Sequence, residues 1–356
     1  MNRKNNIMIE LNSDKLAVSF PELPLQPKLT IDFQRTLRIP DDGRDYPLPP
    51  GFGSFPLRHI DDFAPRVPAG WLKRGGVLLP MWQAEALWLN FRTQYIEDRE
   101  TAYPFAIKVA TGKISAITGE PWSRGLSRNP QNYLVAPAQP WLDGYCVEKG
   151  IIRQFVAMPL GNGYSVEEQL TGEAEFGGIQ IEVYPMRSEI FQKRFPVQTP
   201  LRDTRPRFSL CDEAVHYCAA GSKASMGLAP GGRMRQEIYD DPFSIHDWDT
   251  EHGSRCFIHL VNSATWQAIT GQRPPNTPPT AAQYTSAGYP WFDYYDAEAK
   301  ALDGSKTLAA VKSVKTKGEE IRSSPLPQNK TVSITNLVNL RAGLKTGQVR
   351  EADFAG

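Results

Sequence analysis

Short runs in which apolar and polar residues alternate, separated by turn residues, make up most of this chain. Residues 179–185 (IQIEVYP) alternate in this way and predict a strand with one buried face. Runs rich in β-branched and apolar residues flank residues 111–113 and residues 149–150, so a hairpin is predicted at each place. Residues 151–158 (IIRQFVAM) are apolar on both faces, which predicts a central strand covered on both sides.

The helical period of 3.6 residues occurs in only a few short segments. Residues 80–91 (PMWQAEALWLNF) place apolar side chains at spacings of three and four and begin with proline, so the pattern predicts an amphipathic helix. A capping-box pattern at residues 165–168 predicts a second helix. Residues 263–271 predict a third that ends at a glycine, and Thr280 is placed to cap a fourth.

Proline and glycine set the fold class and the domain organisation. The chain has 30 prolines and 28 glycines, which must separate many short elements, since proline fits neither helix interiors nor central strands. We therefore expect a β-rich α+β fold, an antiparallel β-sandwich or barrel-like core with a few short flanking helices, in one globular unit over residues 1–300. The composition then becomes rich in Lys, Ser and Pro, which predicts a flexible linker over residues 301–330.

Apolar residues return in residues 331–356, which we interpret as a C-terminal docking segment. Their spacing suits about three turns of amphipathic helix, weakened by Gly343. Because so short a helix is marginal alone, it is expected to dock on a protein partner or on another copy of the chain. The residues predicted to make this contact are Ile334, Leu337, Val338, Leu340 and Leu344.

Charge and targeting signals exclude several functional classes. The 40 Lys and Arg residues balance 39 Asp and Glu, so nucleic-acid binding is not expected. The first twenty residues lack the apolar stretch of a signal peptide. The sequence also contains no run of eighteen apolar residues, the length that could cross a membrane. A cytoplasmic location without membrane attachment is therefore predicted. The four cysteines are few and scattered, which predicts free thiols.

Residues 244–260 (SIHDWDTEHGSRCFIHL) concentrate histidines and carboxylates more than any other stretch. Carboxylates stand at the first, third and fifth positions of a calcium loop, but His252 replaces the glycine at the sixth and Ile258 the glutamate at the twelfth. A composite site for zinc, iron or manganese could be formed by His246 and His252 together with His216. The alternative is a polar loop that enters a strand and binds no metal or other cofactor.

Two further segments suggest binding. Gly231 and Gly232 would let the backbone approach a ligand while Arg233 and Arg235 bind an anion, although a glycine turn between strands explains the same residues without a ligand. Residues 289–298 (YPWFDYYDAE) carry an aromatic cluster whose Trp291 and Tyr294 could form an exposed binding surface, or could pack in the core or an interface.

Three motifs carry a resemblance to a known family. The motifs QRTLRIPDDG, PWLDGYCVEKGIIRQFVAMPLGNGYSVEEQLTGEAE and YPWFDYYD are similar to those of a family of uncharacterised bacterial proteins. The resemblance extends from residue 31 to about residue 300 and implies one continuous globular unit. It implies no particular function.

These observations favour a non-enzymatic cytoplasmic binding or assembly protein, a scaffold whose C-terminal segment docks on a partner or on another copy. Two alternatives remain open. One is a metal-dependent hydrolase or oxidoreductase on a barrel-like β fold, with Asp247 or Glu251 as base. The other is an anion or nucleotide sensor that uses the arginine pair at residues 233 and 235.

Overall fold

The computed structural model describes residues 8–198, 225–296, 299–323, 332–334 and 336–341. Strands predominate in these residues and pair mainly antiparallel, which confirms the β-rich α+β fold. The strands are β1 (Ile9–Asn12), β2 (Lys15–Ser19), β3 (Lys28–Leu37), β4 (Asp45–Tyr46), β5 (Gly51–Ser54), β6 (Arg58–His59), β7 (Val77–Pro80), β8 (Glu85–Thr93), β9 (Tyr95–Ile96), β10 (Thr101–Ala102), β11 (Phe105–Thr111), β12 (Ile114–Ser115), β13 (Leu134–Ala136), β14 (Trp141–Leu142), β15 (Gly144–Glu148), β16 (Ile151–Pro159), β17 (Ile179–Pro185), β18 (Met226–Arg235), β19 (Ser254–Val261), β20 (Trp291–Tyr295) and β21 (Leu337–Arg341).

The helices are all short. Within the described part of the chain, none is long and apolar enough to span a membrane. The α-helices are α1 (Ala69–Arg74), α2 (Val166–Thr171), α3 (Ser188–Arg194), α4 (Ser263–Thr270), α5 (Ala281–Ser286), α6 (Lys306–Ala310) and α7 (Val314–Glu320), and 3-10 turns occur at Asp61–Arg66, Glu97–Arg99 and Ile245–Asp247.

Two ladders of strands form the body of the fold. In the first, β2, β3, β8, β16 and β18 lie side by side and antiparallel. In the second, β11, β17 and β19 are antiparallel, and β7 adds to β19 in parallel. The ladders join where Met226 of β18 pairs with Leu260 of β19. Apolar side chains from both ladders share one core cluster, which gives the structure its sandwich-like character.

Several local predictions are confirmed. Hairpins turn at residues 112–113 and 149–150, the capping box at residues 165–168 starts α2, α4 ends before Gly271, and Thr280 caps α5. Strand β17 differs from its prediction, because all seven of its residues are buried. Its polar residues find partners instead of solvent, since Gln180 accepts a hydrogen bond from the backbone N–H of Lys113 at 2.6 Å.

The predicted helix at residues 80–91 is wrong. The segment contains the end of β7 and most of β8, and β8 pairs with β3 from Leu29↔Thr93 to Leu37↔Glu85. Burial along β8 alternates from residue 87, with Leu87, Leu89 and Phe91 in the core and Trp88 and Asn90 less buried. Pairing with the long strand β3 decides between the helical period of 3.6 residues and the strand period of two. The local sequence pattern alone cannot make this choice.

The predictions for the C-terminal region also need correction. Residues 306–320, which the sequence predicts as part of a flexible linker, form α6 and α7, and Leu308, Val311 and Val314 are buried against the main domain. The docking segment was predicted as a helix, but residues 337–341 form strand β21, which pairs in parallel with β20. Leu344 lies outside the described residues.

The packing of α6 on the domain can be tested by Leu308→Ala. Because Leu308 is 1% exposed within the core cluster, its truncation should lower the free energy of unfolding by about 2–5 kcal/mol. The matched control is Lys306→Ala, since Lys306 is exposed on the same helix and should change stability by less than about 0.5 kcal/mol. Urea unfolding measures both values, and equal values would contradict the packing of α6.

Candidate functional site

The structure does not assemble the predicted metal site from the residues that it describes. His246 is exposed in the 3-10 turn at Ile245–Asp247, and the Nδ1 atom of His252 lies 2.8 Å from Oδ2 of Asp249. His216 lies outside the described residues, and among those described no three His, Cys, Asp or Glu side chains converge as metal ligands would. The stretch is a polar loop that enters β19, and the metal hypothesis stays a prediction.

Arg233 and Arg235 are already bound to carboxylates. Arg233 donates to Asp45 at 2.6 Å and to both carboxylate oxygens of Glu148 at 2.7 and 3.1 Å, and these hydrogen bonds raise its pKa. Arg235 makes a bidentate contact with Asp293 at 2.9 and 2.8 Å. An anion would therefore have to displace these carboxylates, which removes the reason for an anion site here.

The glycines beside these arginines serve packing, and they lie within strand β18 instead of forming the turn that the sequence suggests. A Cβ atom on Gly232 would lie 2.4 Å from the carbonyl oxygen of Pro40, so only glycine fits this close approach. A Cβ atom on Gly231 would lie 2.6 Å from a methyl group of Val156. Close contact with protein neighbours accounts for both glycines without a ligand.

The predicted aromatic surface is largely internal. Trp291 is 1% exposed, and its ring packs against those of Tyr284 and Tyr46 at centroid distances of 5.3 and 6.2 Å. Tyr294 is partly exposed and meets the ring of Trp141 edge to face at 4.8 Å. Trp291 is thus a core residue and not a surface platform.

A cleft of about 1430 Å³ opens on the face of β3 and β8 that points away from the hydrophobic core. The sequence predicts no site there. Residues directly opposite in an antiparallel pair project to the same face, and the register pairs Asp32 with Asn90 and Gln34 with Trp88. All four line the cleft. The residues between them along both strands point into the core, so one strand pair supplies both the core and the floor of the cleft.

Asp32 is the most buried carboxylate in the cleft lining, at 1% exposure. Its Oδ2 atom accepts a hydrogen bond from the side-chain amide of Gln34 at 2.7 Å and lies 3.4 Å from the ammonium nitrogen of Lys15. Its Oδ1 atom is also buried but has no hydrogen-bond partner in the described protein. The carboxylate is therefore held in place through one oxygen and leaves the other unsatisfied.

Three further residues of the lining each contribute a buried polar atom without a partner among the described residues. Two are donors, the indole N–H groups of Trp88 and Trp266, and one is an acceptor, the side-chain oxygen of Asn276. With Oδ1 of Asp32, the cleft lining holds two unsatisfied donors and two unsatisfied acceptors. Most buried polar groups in proteins are satisfied, so four such atoms around one cleft need an explanation.

The loop that carries Asn276 is held against the domain by side-chain hydrogen bonds to its backbone and to Gln272. Arg35 donates to the carbonyl oxygen of Asn276 at 2.5 Å, and the indole N–H of Trp82 donates to that of Pro275 at 3.1 Å. Arg58 donates to the side-chain oxygen of Gln272 at 3.0 Å. This wall of the cleft therefore has a defined position relative to the strands.

A buried ion pair joins Arg35 of the cleft lining to Glu85. Arg35 donates to Glu85 at 2.7 Å, and the backbone N–H of Trp82 donates to the same carboxylate at 2.9 Å. Glu85 is fully buried, and burial outweighs these partners and raises its pKa to about 7. Because the guanidinium of Arg35 also holds the loop, this pair connects the strands to the wall of the cleft.

A smaller apolar pocket of about 190 Å³ adjoins Trp88 and the Pro50–Gly51 backbone, which also line the cleft. Its lining includes Leu340 of the predicted docking segment and the buried carboxyl group of Asp143. Asp143 accepts a hydrogen bond from the side-chain amide of Gln236 at 2.8 Å, but burial dominates and raises its pKa to about 7.

Comparisons of this chain with protein-family models, with curated proteins and with solved structures found no match. The function of the chain must therefore be inferred from the chemistry of the cleft. The sequence does not reveal this cleft, because the pattern of residues 80–91 predicts a helix, in which Trp88 and Asn90 would not share a face. The available signal was the alternation of polar and apolar residues over residues 28–34 of β3 and residues 89–92 of β8.

The pKa of Asp143 predicts a pH-dependent contribution to stability. An unfolded aspartate releases its proton near pH 3.9, whereas native Asp143 holds its proton until about pH 7. The native state therefore binds the extra proton between these values, and this contribution to stability is lost as the pH rises through about 7.

Asp143→Asn should remove that dependence while keeping an acceptor for Gln236. The difference in free energy of unfolding, variant minus wild type, should rise by at least about 1.4 kcal/mol between pH 4 and pH 8, the equivalent of one pKa unit. Urea unfolding at several pH values measures this difference. The control is Asp303→Asn at an exposed position, and a constant difference for Asp143→Asn would contradict the shifted pKa.

Proposed function

We propose that this protein is a non-enzymatic binding protein whose cleft on β3 and β8 holds a hydroxyl-rich small molecule, of the class of mono- and disaccharides. The observation that carries the proposal is the set of four buried, unsatisfied polar atoms around the cleft, on Asp32, Trp88, Trp266 and Asn276. The proposal keeps the binding function expected from the sequence and gives it a location.

The mixture of donors and acceptors favours hydroxyl groups. These atoms have almost no exposed surface, so small side-chain rotations must turn them toward a ligand. A buried polar group without a partner costs about 1–3 kcal/mol, so a ligand that then satisfies several of them gains affinity from each. A hydroxyl donates one hydrogen bond and accepts others, so it suits both the carboxylate oxygen of Asp32 and the indole N–H of Trp88. A ligand with only one kind of group would satisfy half of the set.

Size and shape agree with this class. Clefts of roughly 300–1,000 Å³ hold drug-sized ligands, and a cleft of about 1430 Å³ has room for a disaccharide or a longer chain. The lining also presents aromatic rings, of Phe52, Trp88 and Tyr289, on which the C–H face of a sugar ring can pack.

The arrangement of carboxylates suits binding better than hydrolysis. Glycosidases generally place two carboxyl groups across the scissile bond, one of them as a proton donor. In this cleft Asp14 lies 2.8 Å from Arg58, and Asp32 lies 3.4 Å from Lys15, so both carboxylates of the lining are engaged in ion pairs. We therefore assign them to holding a ligand.

The binding proposal is tested by Asp32→Ala. Because this change removes a charged, buried acceptor, affinity for the best ligand in a panel of neutral and acidic mono- and disaccharides should fall about 10- to 100-fold. Isothermal titration calorimetry measures the affinities of both proteins.

Two further variants make the result interpretable. Trp88→Phe keeps a smaller aromatic ring and removes the indole donor, so it should also weaken binding if the fold is intact. Asp62→Ala, at an exposed position outside the cleft lining, should bind as the wild type does. Absence of saccharide binding by the wild type, or unchanged affinity in both cleft variants, would refute the proposal.

A second role, assembly through the C-terminal segment, is favoured by a separate observation. Ile334, Leu337, Val338 and Leu340 are each at least 36% exposed, which is unusual for large apolar side chains so close together. We propose that this segment docks on a second copy of the chain, which would cover these side chains.

Leu337→Asp tests this assembly. The wild type should sediment with a concentration-dependent mass above that of one chain, and the variant should shift toward the mass of one chain because the buried apolar contact is replaced by a charge. Leu170→Asp is the matched control, since it makes the same change at an exposed leucine of α2, outside the C-terminal segment. A monomeric wild type at all concentrations would contradict self-association.

A further inference from the structure

The charges around the cleft carry a more specific inference about its ligand. We infer that the cleft binds an acidic saccharide, and that the carboxylate of this ligand is bound by Arg92 and Arg273 at the rim. The inference rests on the proposed saccharide-binding function and names the substrate class more narrowly.

Cations outnumber carboxylates in the lining of the cleft. The five cations are Lys15, Arg35, Arg58, Arg92 and Arg273, and the two carboxylates are Asp14 and Asp32.

Three of these cations are paired with protein carboxylates. Lys15 lies 3.4 Å from Asp32, Arg58 lies 2.8 Å from Asp14, and Arg35 lies 2.7 Å from Glu85. These three cations are engaged within the protein, so Arg92 and Arg273 are the lining cations available to a ligand.

Arg92 and Arg273 differ from the other three cations in their surroundings. Both side chains are exposed, and in the part of the chain that the structure describes neither makes an ion pair or a side-chain hydrogen bond. An exposed guanidinium needs no partner by itself. Two of them at the rim of a cleft that also holds unsatisfied buried polar atoms, however, form a site with a floor and a charged edge.

The strand register places Arg92 close to the floor of the cleft. Arg92 follows Asn90 by two residues on the same face of β8, which corresponds to about 7 Å along the strand. Asn90 is the direct partner of Asp32, so a sugar ring bound at Asp32 can extend a carboxylate toward Arg92. On the opposite wall, Arg273 lies three residues before Asn276, whose side-chain oxygen is one of the unsatisfied acceptors.

A carboxylate suits this edge better than a phosphate. Guanidinium groups bind carboxylates through two parallel hydrogen bonds, which fixes both position and orientation. Phosphate sites in proteins commonly add backbone N–H groups at a helix N-terminus or a glycine-rich nest. The described residues of this lining come from β2, β3, β5, β6 and β8, from loops, and from the middle of α4, and no helix begins among them. The two glycines of the lining, Gly51 and Gly53, lie in strand β5, which pairs with β3.

The test uses matched neutral and acidic sugars. Affinities of the full chain for D-glucose and D-glucuronate, D-galactose and D-galacturonate, and D-mannose and D-mannuronate, and for their disaccharides, are measured by calorimetry at low and at high salt. The best acidic sugar should bind at least ten-fold more tightly than its neutral counterpart at low salt, and added salt should reduce this preference.

The double variant R92Q/R273Q should lose the preference for the acid while it keeps the affinity for the neutral sugar. The control R124Q changes an exposed arginine outside the cleft lining and should retain the preference. Equal binding of acidic and neutral sugars by the wild type would overturn this inference and leave the saccharide site standing. A preference that survives in R92Q/R273Q would overturn the role of the two arginines, and no binding of any sugar would overturn the proposed function as well.

Discussion

The antiparallel pairing of β3 with β8 is the interaction on which the core and the cleft both depend. The register from Leu29↔Thr93 to Leu37↔Glu85 sends one set of side chains into the core and the other set to the cleft. Because side chains alternate with a period of two, a slip of one residue would send Asp32 and Asn90 into the core and expose apolar groups. The large apolar side chains of this pair therefore also set the geometry of the polar face.

Buried polar groups connect this strand pair to the surrounding loops. Arg35 binds Glu85 on the neighbouring strand and also the backbone of Asn276, so a single guanidinium joins the floor of the cleft to its wall. Removing one partner of such a buried pair commonly costs about 3–5 kcal/mol, because the other charge is left uncompensated. Asp143 and Gln236 form a second internal contact beside the apolar pocket. The contacts of Arg35 fix the strands and the loop around the cleft relative to one another.

The sequence pattern anticipated the parts of the fold that depend on short-range chemistry. The hairpin turns at residues 112–113 and 149–150, the capping box at residues 165–168 and the caps of α4 and α5 follow from residues that touch one another along the chain. The same reasoning misassigned residues 80–91 as a helix, and residues 306–320 as part of a linker. In both segments the deciding partner is distant in sequence, β3 in one case and the domain surface around α6 in the other.

By itself, the sequence determined that this is a β-rich chain with short helices, closely spaced turns and no complete catalytic motif. Only the tertiary structure decided which polar residues act together. Asp32, Trp88, Trp266 and Asn276 are separated by up to 244 positions and belong to no motif, yet they line one cleft. The physical reason is that strand pairing and core packing join distant segments, whereas composition and periodicity report only on neighbours in the chain.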